Sequence, residues 1–263
     1  MKAAFRVDAS LQIGTGHVMR CLTLAGALRS AGFESAFICR EHPGHLAARI
    51  SESGFCVHLL PPPATSAPQG WLGASQEEDA RDSTAALART GDVDLLVVDH
   101  YAIDASWQRE LRGHVGRILV IDDLADRPHA CDLLLDHTLG RLESDYDGLV
   151  PPDCQLLVGA RYCLLRPEFA ALRPHSLQRR QSPALKNLLV TMGGVDARGA
   201  TLTVLAALDA CKFEDPITIT VVMGKTAPDL EEVNRRSRTM RWPTRVIVDT
   251  RDLARLMAGA DAV

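Results

Sequence analysis

Val7-Asp8-Ala9-Ser10-Leu11-Gln12-Ile13-Gly14-Thr15-Gly16-His17-Val18-Met19-Arg20-Cys21 reads as the exit of a buried strand, a glycine loop and the entry of a helix. Ala3 to Asp8 supplies the short apolar strand. Val18, Cys21, Leu22, Ala25 and Leu28 recur at helical spacing until Gly32 stops the pattern. Glycines at 14 and 16 let backbone approach a ligand, and the unpaired amides of a helix start favour an anion such as a phosphate. His17 falls beside that position, where the positive end of the helix dipole disfavours a charged imidazole and leaves a neutral ring able to act as a base. Two readings stay open on these residues alone: a base at a phosphate site, or a glycine-rich connection with a capping histidine. The dinucleotide fingerprint does not apply, because Met19 stands where it wants a third small residue.

Outward from this loop, short apolar runs alternate with helical patterns. Strands are expected at Ser35–Cys39, Cys56–Leu60, Asp94–Asp99, Arg117–Asp122, Leu133–Asp136 and Gln155–Val158, with an amphipathic helix at Glu77–Arg89. Pro61 to Gly70 is too proline-rich for regular structure. A charged, proline-punctuated run follows Arg166-Pro167 and reads as an interdomain connection over residues 167–185. A second series then starts, with strands at Lys186–Met192, Ile217–Met223 and Arg245–Val248. Its helices are expected at Ala200–Ala210, Asp229–Arg236 and Leu253–Ala258. The fold class is α/β with two doubly wound, Rossmann-like domains, residues 1–166 and 186–263.

Composition narrows the classes. The 263 residues carry a net charge of −4, which leaves no electrostatic footprint for nucleic acid, and no apolar run approaches a membrane span. No signal-peptide core precedes Arg6 and Asp8, so the expected location is the cytoplasm. Seven scattered cysteines argue against a disulfide framework. Cys39, His42 and His45 have a spacing that a metal could exploit, but no fourth ligand is evident, and no metal or other cofactor is expected.

Chemistry should gather outside the carboxyl ends of the strands. Asp8, Asp99-His100-Tyr101, Asp122-Asp123 and Asp136-His137 all fall there, each equally readable as a turn residue. Gly193-Gly194, after one strand and before Ala200–Ala210, form a second place where amides could meet a diphosphate, or a plain turn.

Arg6-Val-Asp-Ala-Ser10 with Ile13-Gly-Thr-Gly-His-Val-Met-Arg-Cys-Leu-Thr-Leu-Ala25 resembles the opening of the UDP-2,4-diacetamido-2,4,6-trideoxy-β-L-altropyranose hydrolases of pseudaminic acid biosynthesis. Val98-Asp-His-Tyr101, Ile121-Asp-Asp-Leu-Ala-Asp126, Leu164-Leu-Arg-Pro-Glu-Phe169 and Val190-Thr-Met-Gly-Gly194 carry the resemblance along nearly the whole chain. It implies a glycosyltransferase-B architecture, a UDP-sugar substrate, inverting hydrolysis and a place in flagellin glycosylation and surface polysaccharide assembly. His17 would be the catalytic residue. Gly14, Gly16, Arg20, Tyr101, Arg166, Gly193 and Gly194 would bind substrate. Asp136-His137-Thr138 departs from the family, where an amide pair commonly follows the aspartate. The resemblance also implies further sequence after Ala258-Gly-Ala-Asp-Ala-Val263 to complete the uridine pocket, so the second domain is expected to be incomplete. The protein is read as a monomer that binds neither nucleic acid nor membrane. Alternatives are a glycosyltransferase of the same architecture and a sugar-nucleotide-binding protein without catalysis.

Overall fold

The computed structural model describes residues 1–63, 70–182, 184–196, 198–250 and 252–263. Part of the expected Pro61–Gly70 loop therefore lies outside the described residues. The chain divides into two compact units, Met1–Leu164 and Leu165–Val263.

The first unit contains strands β1 (Lys2–Val7), β2 (Glu34–Arg40), β3 (Cys56–Leu60), β4 (Val93–Asp99), β5 (Val115–Ile121), β6 (Leu133–Asp136) and β7 (Gln155–Val158). Its helices are α1 (Gly16–Ser30), α2 (Ala47–Glu52), α3 (Gln76–Thr90) and α4 (Ala105–Leu111). The strands form one sheet in the order β3-β2-β1-β4-β5-β6-β7. Every pairing is parallel. The order reverses between β1 and β4, and such a switch point opens a crevice at the strand ends.

Strand alternation sorts side chains onto two faces. Phe5, Val7, Val97, Leu119, Ile121 and Leu135 pack with Val18, Cys21 and Ala25 of α1. Ala4, Leu96, Val98, Ile118, Val120 and Leu134 pack on the opposite face with Ala80, Leu87, Trp107 and Leu111 of α3 and α4. With both faces covered, the strands read as continuous apolar runs, as parallel sheets do. Each fully buried Leu, Val or Phe contributes roughly 1.5–3 kcal/mol.

Local signals set the helix ends. Gly32, at φ 87°, turns the chain after α1, and its amide donates to the Arg29 carbonyl at 3.0 Å. At α3, Ser75 and Glu78 form a reciprocal capping box, with Glu77, Glu78 and Asp79 in the first turn where the dipole favours acids.

The second unit contains α5 (Pro167–Arg179), β8 (Asn187–Thr191), α6 (Ala200–Ala210), β9 (Thr218–Met223), α7 (Leu230–Ser237), β10 (Thr244–Val248) and α8 (Leu253–Gly259). Its parallel sheet has the order β10-β9-β8. One core joins Val190, Ile219 and Val221 to Leu205 and Val233, and a second joins Leu189 and Val222 to α8. The βα alternation and the doubly wound class expected from sequence are thus present in both units.

The run read as a connection differs from expectation. Most of it is α5, with Pro167 in the first turn, where a missing amide costs nothing. Arg179 Nη1 meets Asp261 Oδ1 at 2.6 Å, and Arg180 Nη2 donates to the Ala260 carbonyl at 3.2 Å, so the helix belongs to the second unit. Its charges and Pro174 masked a helix whose partner lies some 80 residues further along the chain.

Candidate active site

Asp99 ends β4 beside Val7, the last residue of β1, so its carboxylate sits level with the exit into the glycine loop. Alternation then decides which polar residue at these strand ends faces which helix. Asp99 and Asp123 share the face of Val97 and Ile121 and meet α1. Asp8, His100, Asp122 and Asp136 share the other face.

On the α1 face, His17 Nδ1 lies 2.7 Å from Asp99 Oδ1. Arg20, one helical turn on, donates from Nε to Asp99 Oδ2 and from Nη2 to Asp99 Oδ1, both at 2.6 Å. Its Nη1 donates to Asp123 Oδ2 at 3.0 Å, and the Cys21 thiol reaches Asp99 Oδ2 at 3.4 Å. Burial raises the Asp99 pKa, but hydrogen bonds and charge from Arg20 and His17 more than offset it and hold the carboxyl well below its ordinary range.

An ionised carboxylate only accepts, and two lone pairs facing each other at 2.7 Å would repel; Nδ1 therefore carries the proton and donates it to Asp99. Nε2 is left with the lone pair. Arg20 Nη2 also lies 3.1 Å from Nδ1, a consequence of both groups sharing Oδ1. The arrangement is a histidine held in one tautomer by a buried acid, as in hydrolytic triads.

Two aromatic rings complete the surroundings. Tyr101 stands edge-on to His17 at 4.7 Å between centroids, and Trp71 does so at 6.0 Å. The Tyr101 phenol is pushed up by burial and by the nearby Asp123 carboxylate.

The other acids at the strand ends have structural partners. Asp8 pairs with Arg6 at 2.7 Å and accepts from the Arg40 amide. Arg6 in turn forks onto Asp79 at 2.9 and 2.6 Å, a fully buried pair whose disruption would cost about 3–5 kcal/mol. Asp122 pairs with Arg127, Asp136 accepts from Arg141 and the Thr138 amide, and the single hydroxyl hydrogen of Tyr146 is shared between these two carboxylates.

The expected site residues fall out as follows. Gly14 takes φ 81°, and neither Gly14 nor Gly16 has an atom within 4 Å of a would-be Cβ, so space is open at both. Thr15, at the N-cap of α1, makes no side-chain capping bond. Tyr101 adjoins His17. The nitrogens of Arg20 are engaged by Asp99 and Asp123. Arg166, in the second unit, pairs with Glu168 at 3.1 Å and lies over Phe169. Gly193 takes φ 82°, and the Gly194 carbonyl accepts from the Gly224 amide. The amides at the start of α6 are already used: Ala200 and Thr201 donate to the two oxygens of Asp196, each at 2.9 Å. An anion at Gly193-Gly194 would thus meet loop amides beside a carboxylate, not an open helix end.

Cys39, His42 and His45 are not brought together: Cys39 is buried with its thiol pushed up, His42 lies 3.7 Å from Asp8, and His45 Nδ1 accepts from the Ala47 amide. His100 Nδ1 likewise accepts from the Ala102 amide, so its Nε2 bears hydrogen toward Asp8. Among the described residues, no group of three or more His, Cys, Asp or Glu side chains is arranged to hold a metal ion, and no helix is long and apolar enough to cross a membrane.

Comparison with solved structures defines the class of fold. MurG of Acinetobacter baumannii matches over 98% of this chain and 71% of its own, with a TM-score of 0.59 at 12% identity. Anabaena Alr3699/HepE, solved in complex with UDP and glucose, matches over 99% and 72%, with a TM-score of 0.54 at 12% identity. The fold is that of the two-domain glycosyltransferase-B proteins.

Sequence comparison adds particular relatives. The UDP-2,4-diacetamido-2,4,6-trideoxy-β-L-altropyranose hydrolase of Campylobacter jejuni is 28% identical over 258 residues, 98% of this chain and 81% of that protein. The spore coat polysaccharide biosynthesis protein SpsG of Bacillus subtilis is 32% identical over 113 residues, 43% of this chain and 32% of that protein. No protein-family model matches the chain.

Proposed function

We propose that the protein hydrolyses a UDP-linked 2,4-diacetamido-2,4,6-trideoxy sugar to the free sugar and UDP, with His17 as general base. The observation that carries the reading is the Asp99-held tautomer of His17 at the sheet's switch point, in a chain similar over 98% of its length to a hydrolase of that name. His17 Nε2 takes a proton from water as the water oxygen bonds to the anomeric carbon. The bond from that carbon to the phosphate oxygen breaks, its electron pair leaves with UDP, and the anomeric centre inverts. General-base help of this kind is worth about 10²–10⁴ in rate.

Asp99 stabilises the imidazolium as it forms, and Arg20 keeps Asp99 ionised and fixed. The carboxylates of Asp99 and Asp123 also suit a sugar carbon that gains positive charge in the transition state. Open space at Gly14 and Gly16 supports substrate contact at the uncapped start of α1, and the loop amides of Gly193 and Gly194 serve the diphosphate. Arg166 belongs to the proposed binding set through the family resemblance. Within this reading the enzyme is a cytoplasmic monomer that feeds surface glycan assembly, flagellin included.

The test is incubation of the nucleotide sugar with protein and no acceptor, following UDP release. Wild type should release UDP and His17→Ala should lose about 10²–10⁴ of the rate while still binding UDP. EDTA should leave turnover intact. Release at the wild-type rate by His17→Ala, or strict dependence on an added acceptor, would overturn the reading.

A further inference from the structure

We propose that Trp71 and Tyr101 form an aromatic wall that receives the methyl of an N-acyl group at C2 of the sugar, making Trp71 a specificity-determining residue; this rests on the hydrolase reading above. Their rings lie 5.1 Å apart and are inclined by 32°, an offset, tilted stack in which each ring braces the other. Both stand close to perpendicular to the imidazole, at 86° for Tyr101 and 76° for Trp71. The wall therefore borders the base itself. Its Tyr101 ring packs on His17, whose Nδ1 meets Asp99, and Arg20 ties Asp99 to Asp123, so the wall adjoins the network that fixes the base. Both rings are half-buried, leaving part of each open to a ligand.

The distance from base to wall selects the group that lands there. A base acting through one water holds the anomeric carbon within a few ångströms of Nε2, because each hydrogen-bonded step spans about 3 Å. The substituent on the neighbouring ring carbon, C2, falls next to it. An acetamido group there ends in a methyl, which gains dispersion contact on a ring face. A C2 hydroxyl on the same face would give up its hydrogen bonds to water for nothing comparable. Discrimination by one methyl in an apolar site reaches roughly 10–200-fold.

The test compares two UDP-sugars that differ only in carrying N-acetyl or N-formyl at C2. Wild type should favour N-acetyl by about tenfold or more in kcat/KM. Trp71→Ala should bring the ratio near one, Trp71→Phe should keep most of it, and both should retain the wild-type pH profile, which damage to the His17 network would shift. An equal ratio in wild type and Trp71→Ala overturns the wall and leaves the hydrolase reading standing.

A second readout does not need turnover. The chain has tryptophans at 71, 107 and 242, so fluorescence quenching by the N-acetyl nucleotide that disappears in Trp71→Phe places the ligand at this wall. If wild type releases no UDP from either sugar, the hydrolase reading falls, and quenching decides the wall alone. Tighter quenching by N-acetyl than by N-formyl supports it; equal quenching overturns it.

Discussion

The start of α1 and the start of α6 look alike in sequence and differ in what closes them. Each follows the first strand of its unit through a turn with a glycine at positive φ, 81° at Gly14 and 82° at Gly193. At α6 the turn supplies its own anion, since both oxygens of Asp196 take the amides of Ala200 and Thr201. At α1 no side chain caps the helix, and the first turn carries His17, backed by a buried acid from another strand. A glycine turn before a helix is therefore not in itself an anion site; the residue that occupies the helix end decides.

The difference is sharpest in chemistry, so the largest effect is expected at Asp99. Asp99→Asn can no longer accept as a charged group or stabilise an imidazolium, and the amide permits the other His17 tautomer. Turnover should fall by about 10³–10⁴, with a changed pH profile and little change in UDP affinity. A fall that tracks only a loss of folded protein would reduce Asp99 to a structural residue. Asp196→Ala should act in the opposite way. Removing the groups that satisfy the α6 amides should lower stability by about 0.5–2 kcal/mol, read by denaturant unfolding, and leave a diphosphate bound at least as well as before. Weaker UDP binding with unaltered stability would show that Asp196 belongs to the ligand site. A comparable effect should be common to both regions: Gly14→Ala and Gly193→Ala each force a side chain into the left-handed region and should each cost about 1–2 kcal/mol. Unequal costs would mean that the two turns differ in backbone demand as well as in closure.

These residues also show where sequence reading succeeds. The strand, loop and helix around His17 were legible because the apolar period and Gly14, Gly16 and Gly32 are local signals. The acid behind His17 was not. Asp99 is 82 residues away, and four strand ends offered aspartates of equal appearance. The sorting rule was available once β1, β4 and β5 were placed side by side: alternation sends Asp99 and Asp123 toward α1 and sends Asp8, Asp122 and Asp136 away. Arg20 was legible only through the resemblance, as a substrate-binding residue, and the fold shows it engaged by two carboxylates. Asp196 did carry a signal, an aspartate four residues before the first residue of α6. Trp71 carried none, since an aromatic after a proline-rich loop has no period to place it.

The central claim is the state of one ring, and nitrogen NMR of histidine-labelled protein reads it directly. The account predicts that the neutral His17 ring carries its hydrogen on Nδ1 and its lone pair on Nε2, a form that is lost or mixed in Asp99→Asn. A wild-type ring with hydrogen on Nε2, or one whose tautomer is indifferent to Asp99→Asn, would contradict the account.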